Sequence, residues 1–572
     1  MNKLYPVYTL KNECHDCYRC VRECPAKAIK IQDGSASVIV EKCIACGHCV
    51  KVCPSNAKRV RVDIERVKTL LTAKKDVYVS LAPSWAGVYD LTPQRMVALL
   101  KQLGFKAVSE TALGAQEVSI QTAKIINDSE NGIFISSACP VIVDYIKKYR
   151  PDFSKDIVPI ASPALTHAKM LKEKYGEDIS IVFIGPCIGK KNESDRHQNL
   201  IDVSLTFEEL NYWINEEFIN VTELDMVNSE GFVYGTANEG ALYPIDGGMN
   251  ETIKKSGIDN DVTLINISSL ETFAQSLQNF DKNKCNKKIF IEALACFGGC
   301  VNGPCVDSSK SGISITSDIL SKIKYREKVP NKAEIVVPIQ YNAEPVETKE
   351  YTYDEILKAM KSIGKHSEED ELNCGGCGYP TCRDLAKALI SQDAEPSMCV
   401  SYMRKIAMRK AAAMLRAMPS SIVMVDKNLN ILEANDAFMR MFCGDMYDIF
   451  ASRKDGLTGA SIDRIISFGD IFKTVLRNNK DIHKEHYPVK NKLYDINVFT
   501  IEQGEIVGAV ITDVTKSETD REQIARRARE VISKNIATVQ NIACLLGEHM
   551  VETELLLNSI AEDYEADVNG DE

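Results

Sequence analysis

"GIFISSACP", Gly132 to Pro140, is an apolar run of strand length that ends on one cysteine with no other cysteine within forty residues. Two later stretches repeat the arrangement: "ISIVFIGPC" stops at Cys187, and "KKIFIEALACFGGC" carries Cys296 and Cys300 just past its apolar half. Around them, apolar runs alternate with amphipathic segments, as in "DVYVSLAP" followed by "LTPQRMVALLKQLGF", where Met96, Leu99, Leu100 and Leu103 share one helical face. That alternation is α/β sequence. In open α/β sheets ligands gather outside the carboxyl ends of the strands, so cysteines remote in sequence but each just past a strand can meet at one spot. Four thiolates suffice for one cubane iron-sulfur cluster. Pro140, Gly185, Pro186, Gly298, Gly299, Gly303 and Pro304 flank them, as expected where backbone passes close to a bulky inorganic group. Taken singly, Cys139 or Cys187 reads as a buried thiol; together with the CxxxC pair they read as a ligand set.

The cysteine count points the same way. The 572-residue chain has 20 cysteines, and "MNKLYPVYTLKNECHDC" at its start has no signal-peptide core, so a disulfide framework is not expected and a cytoplasmic location is. Sixteen fall into spaced groups, while Cys285, Cys305, Cys443 and Cys544 are expected to be buried small hydrophobes. The N-terminal segment is an internal repeat, "CHDCYRCVRECP" then "CIACGHCVKVCP". Each copy is the CxxCxxCxxxCP run of two-cluster ferredoxins, whose fourth cysteine ligates the other cluster. The expected sets are therefore Cys14, Cys17, Cys20 and Cys53 for one [4Fe-4S] cluster, and Cys43, Cys46, Cys49 and Cys24 for the second. Zinc would be complete with four ligands and gives no reason for two interleaved runs. With 45% hydrophobic and 26% charged residues, a net charge of -11 and no long apolar run, neither a membrane nor nucleic acid is expected as partner.

"SSACP" (Ser136 to Pro140), "PCIGK" (Pro186 to Lys190) and "EALACFGGCVNG" (Glu292 to Gly303) resemble the TSCCP, PCxxK and ExMxCxxGCxxG loops of the [FeFe]-hydrogenase catalytic domain, over about residues 1–310. "LAPSWAG" and "LLKQLGFKAVSETALGAQE" are similar to that family's opening strand and next segment. The resemblance implies an H-cluster: a [4Fe-4S] cube on Cys139, Cys187, Cys296 and Cys300, with the Cys300 sulfur bridging to a two-iron unit bearing carbonyl, cyanide and azadithiolate. It assigns the cyanide contacts to Lys190 and to the Ala82, Pro83 and Ser84 loop, which makes Cys300, Lys190 and Ser84 the expected catalytic residues. The departures matter too. Where the family's turnover enzymes carry a proton-passing cysteine stands Ala138; its methionine is Leu294; its SPQ segment reads Ser162, Pro163, Ala164; and Gln121 and Thr122 stand where two glutamates are expected. Losing a positioned acid or base costs about a hundredfold or more, so slow turnover is expected.

Further along, Cys374, Cys377, Cys382 and Cys399 form a fourth set in "LNCGGCGYPTCRDLAKALI" and "SMCV". It resembles the small [4Fe-4S] domain of corrinoid iron-sulfur proteins and of membrane electron-transfer complexes, with zinc left open because four cysteines do not choose the metal. "MPSSIVMVDKNLNILEANDAFMRMF" and "GAVITDVTK", with Asn435 and Asp513, resemble a PAS domain, in which Cys443 or His483 could touch a cofactor. Ile536, Val539, Ala543, Leu546, Met550, Leu557 and Ile560 fall on a heptad seam, read either as a dimerising coiled coil or as a helix packed on its own domain.

The expected fold is multidomain: an α+β two-cluster ferredoxin-like module over 1–70, an α/β hydrogenase-like domain over 71–330, a linker and small [4Fe-4S] domain over 331–402, an α+β PAS domain with its preceding helix over 403–516, and a helix and tail over 517–572. The favoured function is a hydrogen or redox sensor that binds and slowly turns over dihydrogen and protons. Its expected partners are a ferredoxin-like electron carrier, hydrogenase maturation proteins, a signalling kinase or phosphatase, and a second copy in a homodimer. The alternatives are a bidirectional ferredoxin-linked hydrogenase and a nonenzymatic iron-sulfur scaffold.

Overall fold

The computed structural model describes residues 5–73, 76–221, 224, 231–306, 309–323, 325, 330, 332–347, 349–453, 456–490, 492–515 and 530–539. By its contacts the chain forms two units, Met1–Val400 and Ser401–Glu572. None of the described helices is long and apolar enough to cross a membrane.

The first unit begins with the internal repeat. Each half gives a cysteine loop, a one-turn helix and a short strand: Arg19–Glu23 then Ile29–Gln32, and His48–Lys51 then Lys58–Val60. Tyr18 and Gly47 precede the two helices with φ of 56° and 76°. Only the second must be glycine on packing grounds, since a Cβ on Gly47 would lie 2.4 Å from Ile188 Cδ1, beside Cys187. The repeat thus presses its second cysteine loop against the third cysteine region.

The α/β region, expected from the alternation of apolar runs and amphipathic segments, has two parallel sheets. One runs Ala107–Glu110, Val77–Leu81, Ser180–Gly185, Val203–Thr206; the other runs Thr263–Ser268, Lys288–Leu294, Gly132–Ile135. Val77–Leu81 and Ser180–Gly185 are buried at every position, the mark of parallel strands covered on both faces. The helices Ala112–Asn127 and Pro163–Tyr175 pack closely, because Gly114 leaves room for the Pro163 carbonyl and His167. Behind the strands His167 is fully buried and neutral, its ring nitrogens 2.8 Å from Ser80 Oγ and 2.9 Å from Ser109 Oγ, and burial holds its pKa down at about 3.

The stretch expected as a linker lies extended along this region. Ala161 N donates to Val337 O, Ile339 N to Pro159 O, and Glu344 N to Lys147 O, at 2.8–3.2 Å, so the backbone polar groups of the stretch find partners. The small four-cysteine segment follows, with helices Tyr353–Ser362 and Cys382–Ile390 packed through Met360 and Ala386. It docks on the N-terminal repeat: Lys42 pairs with Asp393 at 2.6 Å, Asp33 N donates to Glu395 at 3.0 Å, and Gly378, at φ 91°, sits against the Val21–Arg22 backbone.

The second unit contains a five-stranded antiparallel sheet ordered Ile431–Ala434, Ser421–Asp426, Ile506–Asp513, Lys492–Glu502, Ile482–Val489. Phe438, Phe472, Val423, Ile496 and Val498 fill one face. Asn435 ties the sheet to its helix: Oδ1 accepts from Ile422 N and Phe438 N at 2.9 and 3.0 Å, and Nδ2 donates to Ser420 O at 2.8 Å. Asp513 accepts from Lys492 at 2.8 Å. His483 stands exposed beside Glu485, and Cys443 is half-buried against the core. Of the heptad positions, Ile536 and Val539 are described; Val539 packs on Ile422, Phe499 and Val510 of the same sheet, and the later positions lie outside the described residues.

Candidate functional site

A cavity of about 100 Å³ opens where the strands of both sheets end. Ala82, Pro83 and Ser84 follow Val77–Leu81, Thr111 follows Ala107–Glu110, Ser136 to Pro140 follow Gly132–Ile135, and Pro186 and Cys187 follow Ser180–Gly185. Leu294 and Cys300 complete the wall from the seventh strand and the loop beyond it. The cysteines meet across the ends of two sheets. Cys296 stands behind the wall, close enough that thiolates at Cys300, Cys187, Cys139 and Cys46 would each raise its pKa further after burial has done so. Burial likewise pushes Cys187 up to about 11 and Cys300 higher still. A ligand thiol must lose its proton, so this pocket favours a positive inorganic centre that draws the thiolates.

Polar groups in the wall are few. Ser84 is buried and its Oγ has no partner, which leaves a donor aimed at whatever fills the cavity. Lys190 lines the cavity with its Nζ 2.9 Å from Ser162 Oγ and 2.6 Å from Glu193 Oε2. Its neighbour Lys191 points the other way, wholly buried between Asp63 and Glu209 at 2.8 Å each. The two lysines of "PCIGKK" therefore have separate tasks: one faces the cavity, the other satisfies a buried acidic pair.

Three cavity residues escape sequence reading. Glu292 is 1% exposed; burial raises its pKa to about 7 against the Asn250, Met249 and Gly247 amides at the start of helix Gly248–Lys255, which lower it. Met249, from that helix, puts its sulfur 3.0 Å from Ser136 Oγ, so a thioether reaches the cavity although position 294 is leucine. Tyr243 shares a 2.7 Å hydrogen bond with Ser119. Only Glu292 had a sequence signal, as the first letter of its motif. Ala138 lines the cavity with a methyl group and Leu294 with an isobutyl group. Of the two positions where the resemblance expects glutamates, Thr122 is buried on helix Ala112–Asn127 with Oγ1 unpartnered and Gln121 is partly buried beside it; neither can carry a proton as a carboxylate does.

The N-terminal cysteines ring two smaller cavities. Cys14, Cys17, Cys20 and Cys53 line one; Cys24, Cys43, Cys46 and Cys49 line the other. Among the described residues no three His, Cys, Asp or Glu side chains close on a centre the size of one ion; the thiols surround spaces instead. In the small segment Cys377, Cys382 and Cys399 are buried and Cys374 is exposed, and thiolates at Cys399 and Cys374 would raise the pKa of Cys377. Of the four unpatterned cysteines, Cys305 is fully buried, Cys285 and Cys443 are only partly so, and Cys544 lies outside the described residues.

Comparison with known proteins now adds to this geometry. Residues 75–304 match the family model of the iron only hydrogenase large subunit, C-terminal domain; residues 6–54 match a 4Fe-4S dicluster domain, and 370–401 an Fe-S cluster segment. The chain thus carries an iron-only hydrogenase large-subunit domain behind a ferredoxin-like 4Fe-4S domain, and is an iron-sulfur, hydrogenase-like protein. It is 26% identical over 296 residues to iron hydrogenase 1 of Clostridium pasteurianum, a match covering 42% of this chain and 52% of that one. The chain therefore spans about half the length of that relative. It is 35% identical over 127 residues to the cytosolic Fe-S cluster assembly factor NAR1 of Candida dubliniensis, covering 20% of this chain and 22% of that one. A solved [FeFe]-hydrogenase from Chlamydomonas reinhardtii aligns with 49% of this chain and 99% of its own, at 20% identity and a TM-score of 0.38.

Proposed function

We propose that the chain is a low-turnover [FeFe]-hydrogenase-like protein that binds dihydrogen at the cavity and signals through its second unit. In this reading Cys139, Cys187, Cys296 and Cys300 hold a [4Fe-4S] cube, and Cys300 also holds a two-iron unit with carbonyl, cyanide and azadithiolate ligands. That unit, when bound, supplies the open metal position for dihydrogen. The chain does the rest. Ser84 Oγ and Lys190 Nζ donate to and orient the group, Lys190 turning from Glu193; the mostly apolar wall keeps water out; and Glu292, poised near pH 7, holds a proton in the wall. The two N-terminal thiol sets and the Cys374, Cys377, Cys382 and Cys399 set hold further [4Fe-4S] clusters for exchange with a ferredoxin-like carrier.

The observation that carries the low-turnover reading is Ala138, a methyl group in the cavity wall beside Cys139 where no proton can rest. The five-stranded sheet with Asn435 at its helix start supports a PAS domain in the second unit. It is the natural output element, towards a kinase or phosphatase or a second copy of the chain. To test the reading, the protein is matured anaerobically with the synthetic two-iron cofactor, infrared bands are recorded in the carbonyl and cyanide region, and dihydrogen oxidation is assayed. Bands with slow turnover are expected. Bands with turnover as fast as that of efficient hydrogenases would refute the argument from Ala138. Absence of bands with intact cubanes would favour the second reading, an iron-sulfur scaffold, which the likeness to the Candida assembly factor supports.

A further inference from the structure

Lys58 breaks the symmetry of its own repeat. Cys24-Pro25-Ala26-Lys27-Ala28-Ile29 and Cys53-Pro54-Ser55-Asn56-Ala57-Lys58 are equivalent turns, and each last residue opens the following strand. Ile29 is 2% exposed, as an apolar residue there should be, and Lys58 is also 2% exposed. Its ammonium donates to Thr9 Oγ1 at 2.6 Å and to the Ala36 carbonyl at 3.4 Å, both neutral. Among the described residues no carboxylate pairs with it. Burying an uncompensated cation costs several kcal/mol, so its counter-charge must lie elsewhere. Among the described residues that line the cavity beside it, the cysteines supply potential anions. Lys58 lines the cavity ringed by Cys14, Cys17, Cys20 and Cys53, and its backbone N–H also donates to the Cys53 sulfur.

We propose that Lys58 is a potential-tuning residue, a buried cation in the wall of the first N-terminal thiol set that raises the reduction potential of the cluster held by Cys14, Cys17, Cys20 and Cys53. The proposal rests on the iron-sulfur reading of that set. A thiolate-ligated cluster is anionic and gains one further negative charge when it takes up one electron, with no bond made or broken. A fixed cation nearby therefore stabilises the reduced form more than the oxidised one. Ile29 offers no such charge at the equivalent place, so the two halves of the repeat should differ in potential.

The test uses the full chain with clusters assembled anaerobically from ferrous iron and sulfide, as wild type, Lys58→Met and Lys58→Gln. Each is reduced stepwise with dithionite and followed by electron paramagnetic resonance. At a fixed potential the reduced-to-oxidised ratio of the cluster on Cys14, Cys17, Cys20 and Cys53 is expected to fall about tenfold in the variants, a shift of 59 mV for a one-electron couple. Iron and sulfide content should be unchanged, and the cluster of the Cys374 set should titrate as before. Unshifted midpoints of both N-terminal clusters at full iron content would overturn the proposal. Lys58→Gln keeps a donor for Thr9 and Ala36, so it carries the test if Lys58→Met loses iron; loss of iron in both would make Lys58 a structural tie and end the proposal. Failure of the wild-type chain to take up iron would instead refute the iron-sulfur reading itself.

Discussion

Replacing Glu292 with glutamine should stabilise the protein in alkaline solution and slow it as an enzyme. Burial raises the Glu292 pKa from 4.5 to about 7, so the folded chain binds this proton more tightly than the unfolded chain does. Stability from this group is full below about pH 4.5 and falls as pH rises to about 7, where the loss is complete. A shift of about 2.5 units at about 1.4 kcal/mol each comes to about 3 kcal/mol, with little solvent screening because the side chain is 1% exposed. Glutamine keeps the shape and an acceptor for the Asn250 amide, now 2.8 Å from Oε2, but never ionises. Variant and wild type should therefore match near pH 4.5 and differ by about 3 kcal/mol at pH 8. For a domain of this size that is a rise in melting temperature of roughly 6–12 °C. An anionic cluster on the neighbouring thiolates pushes the same way. Anaerobic scanning calorimetry at the two pH values measures the difference. An equal shift at both, or a lower melting temperature at pH 8, would refute the reasoning. On matured protein the same substitution should cost about a hundredfold in dihydrogen oxidation, because the cavity loses a proton-holding group.

Ala138→Cys restores a titratable group to the wall and should raise turnover of matured protein about tenfold rather than fully, since Gln121 and Thr122 still cannot relay the proton; initial rates check it. Gly378→Leu puts a Cβ 3.0–3.2 Å from the Val21–Arg22 backbone at a positive φ, at a cost of about 1–3 kcal/mol. The small segment should loosen from the repeat while keeping its metal, read as faster tryptic cleavage at Arg383 or Lys387 at unchanged iron content. Asn435→Ala removes five hydrogen bonds at a residue 4% exposed and should lower the stability of the second unit by about 2–4 kcal/mol in urea unfolding.

The cysteine sets were legible because ligand spacing within a loop is a local property. "CIACGHCVKVCP" carries its geometry in twelve consecutive residues, and the structure rings one cavity with Cys43, Cys46, Cys49 and Cys24. The strand-end cysteines were legible one step further, through the alternation of apolar runs. That alternation says where each strand stops but not which sheet it joins, so the division into two sheets could not be read from it. What stayed hidden is what only packing decides. Met249 comes from a helix start over a hundred residues from Ala138, and nothing in "GGMNETIKK" marks it as a cavity residue. Lys190 and Lys191 are adjacent and chemically alike; a helical step of about 100° sends one to the cavity and the other to Asp63 and Glu209.

The buried thiols set the terms on which this chain can acquire a metal. Burial raises Cys46 to about 12 and carries Cys49, Cys296 and Cys300 above the ordinary thiol value, so at neutral pH these groups keep their protons. Loading a cluster must expel those protons, and the energy comes from metal-thiolate bonding, which pins strands and loops that are otherwise held only by packing. The same burial that resists deprotonation in the empty protein shields the thiolates from water once they are bound. Lys58 and Lys190 each bring a cation to a place where that negative charge then collects. A chain that lost either lysine would still have its cysteines in place, but would have to bury the cluster charge without it.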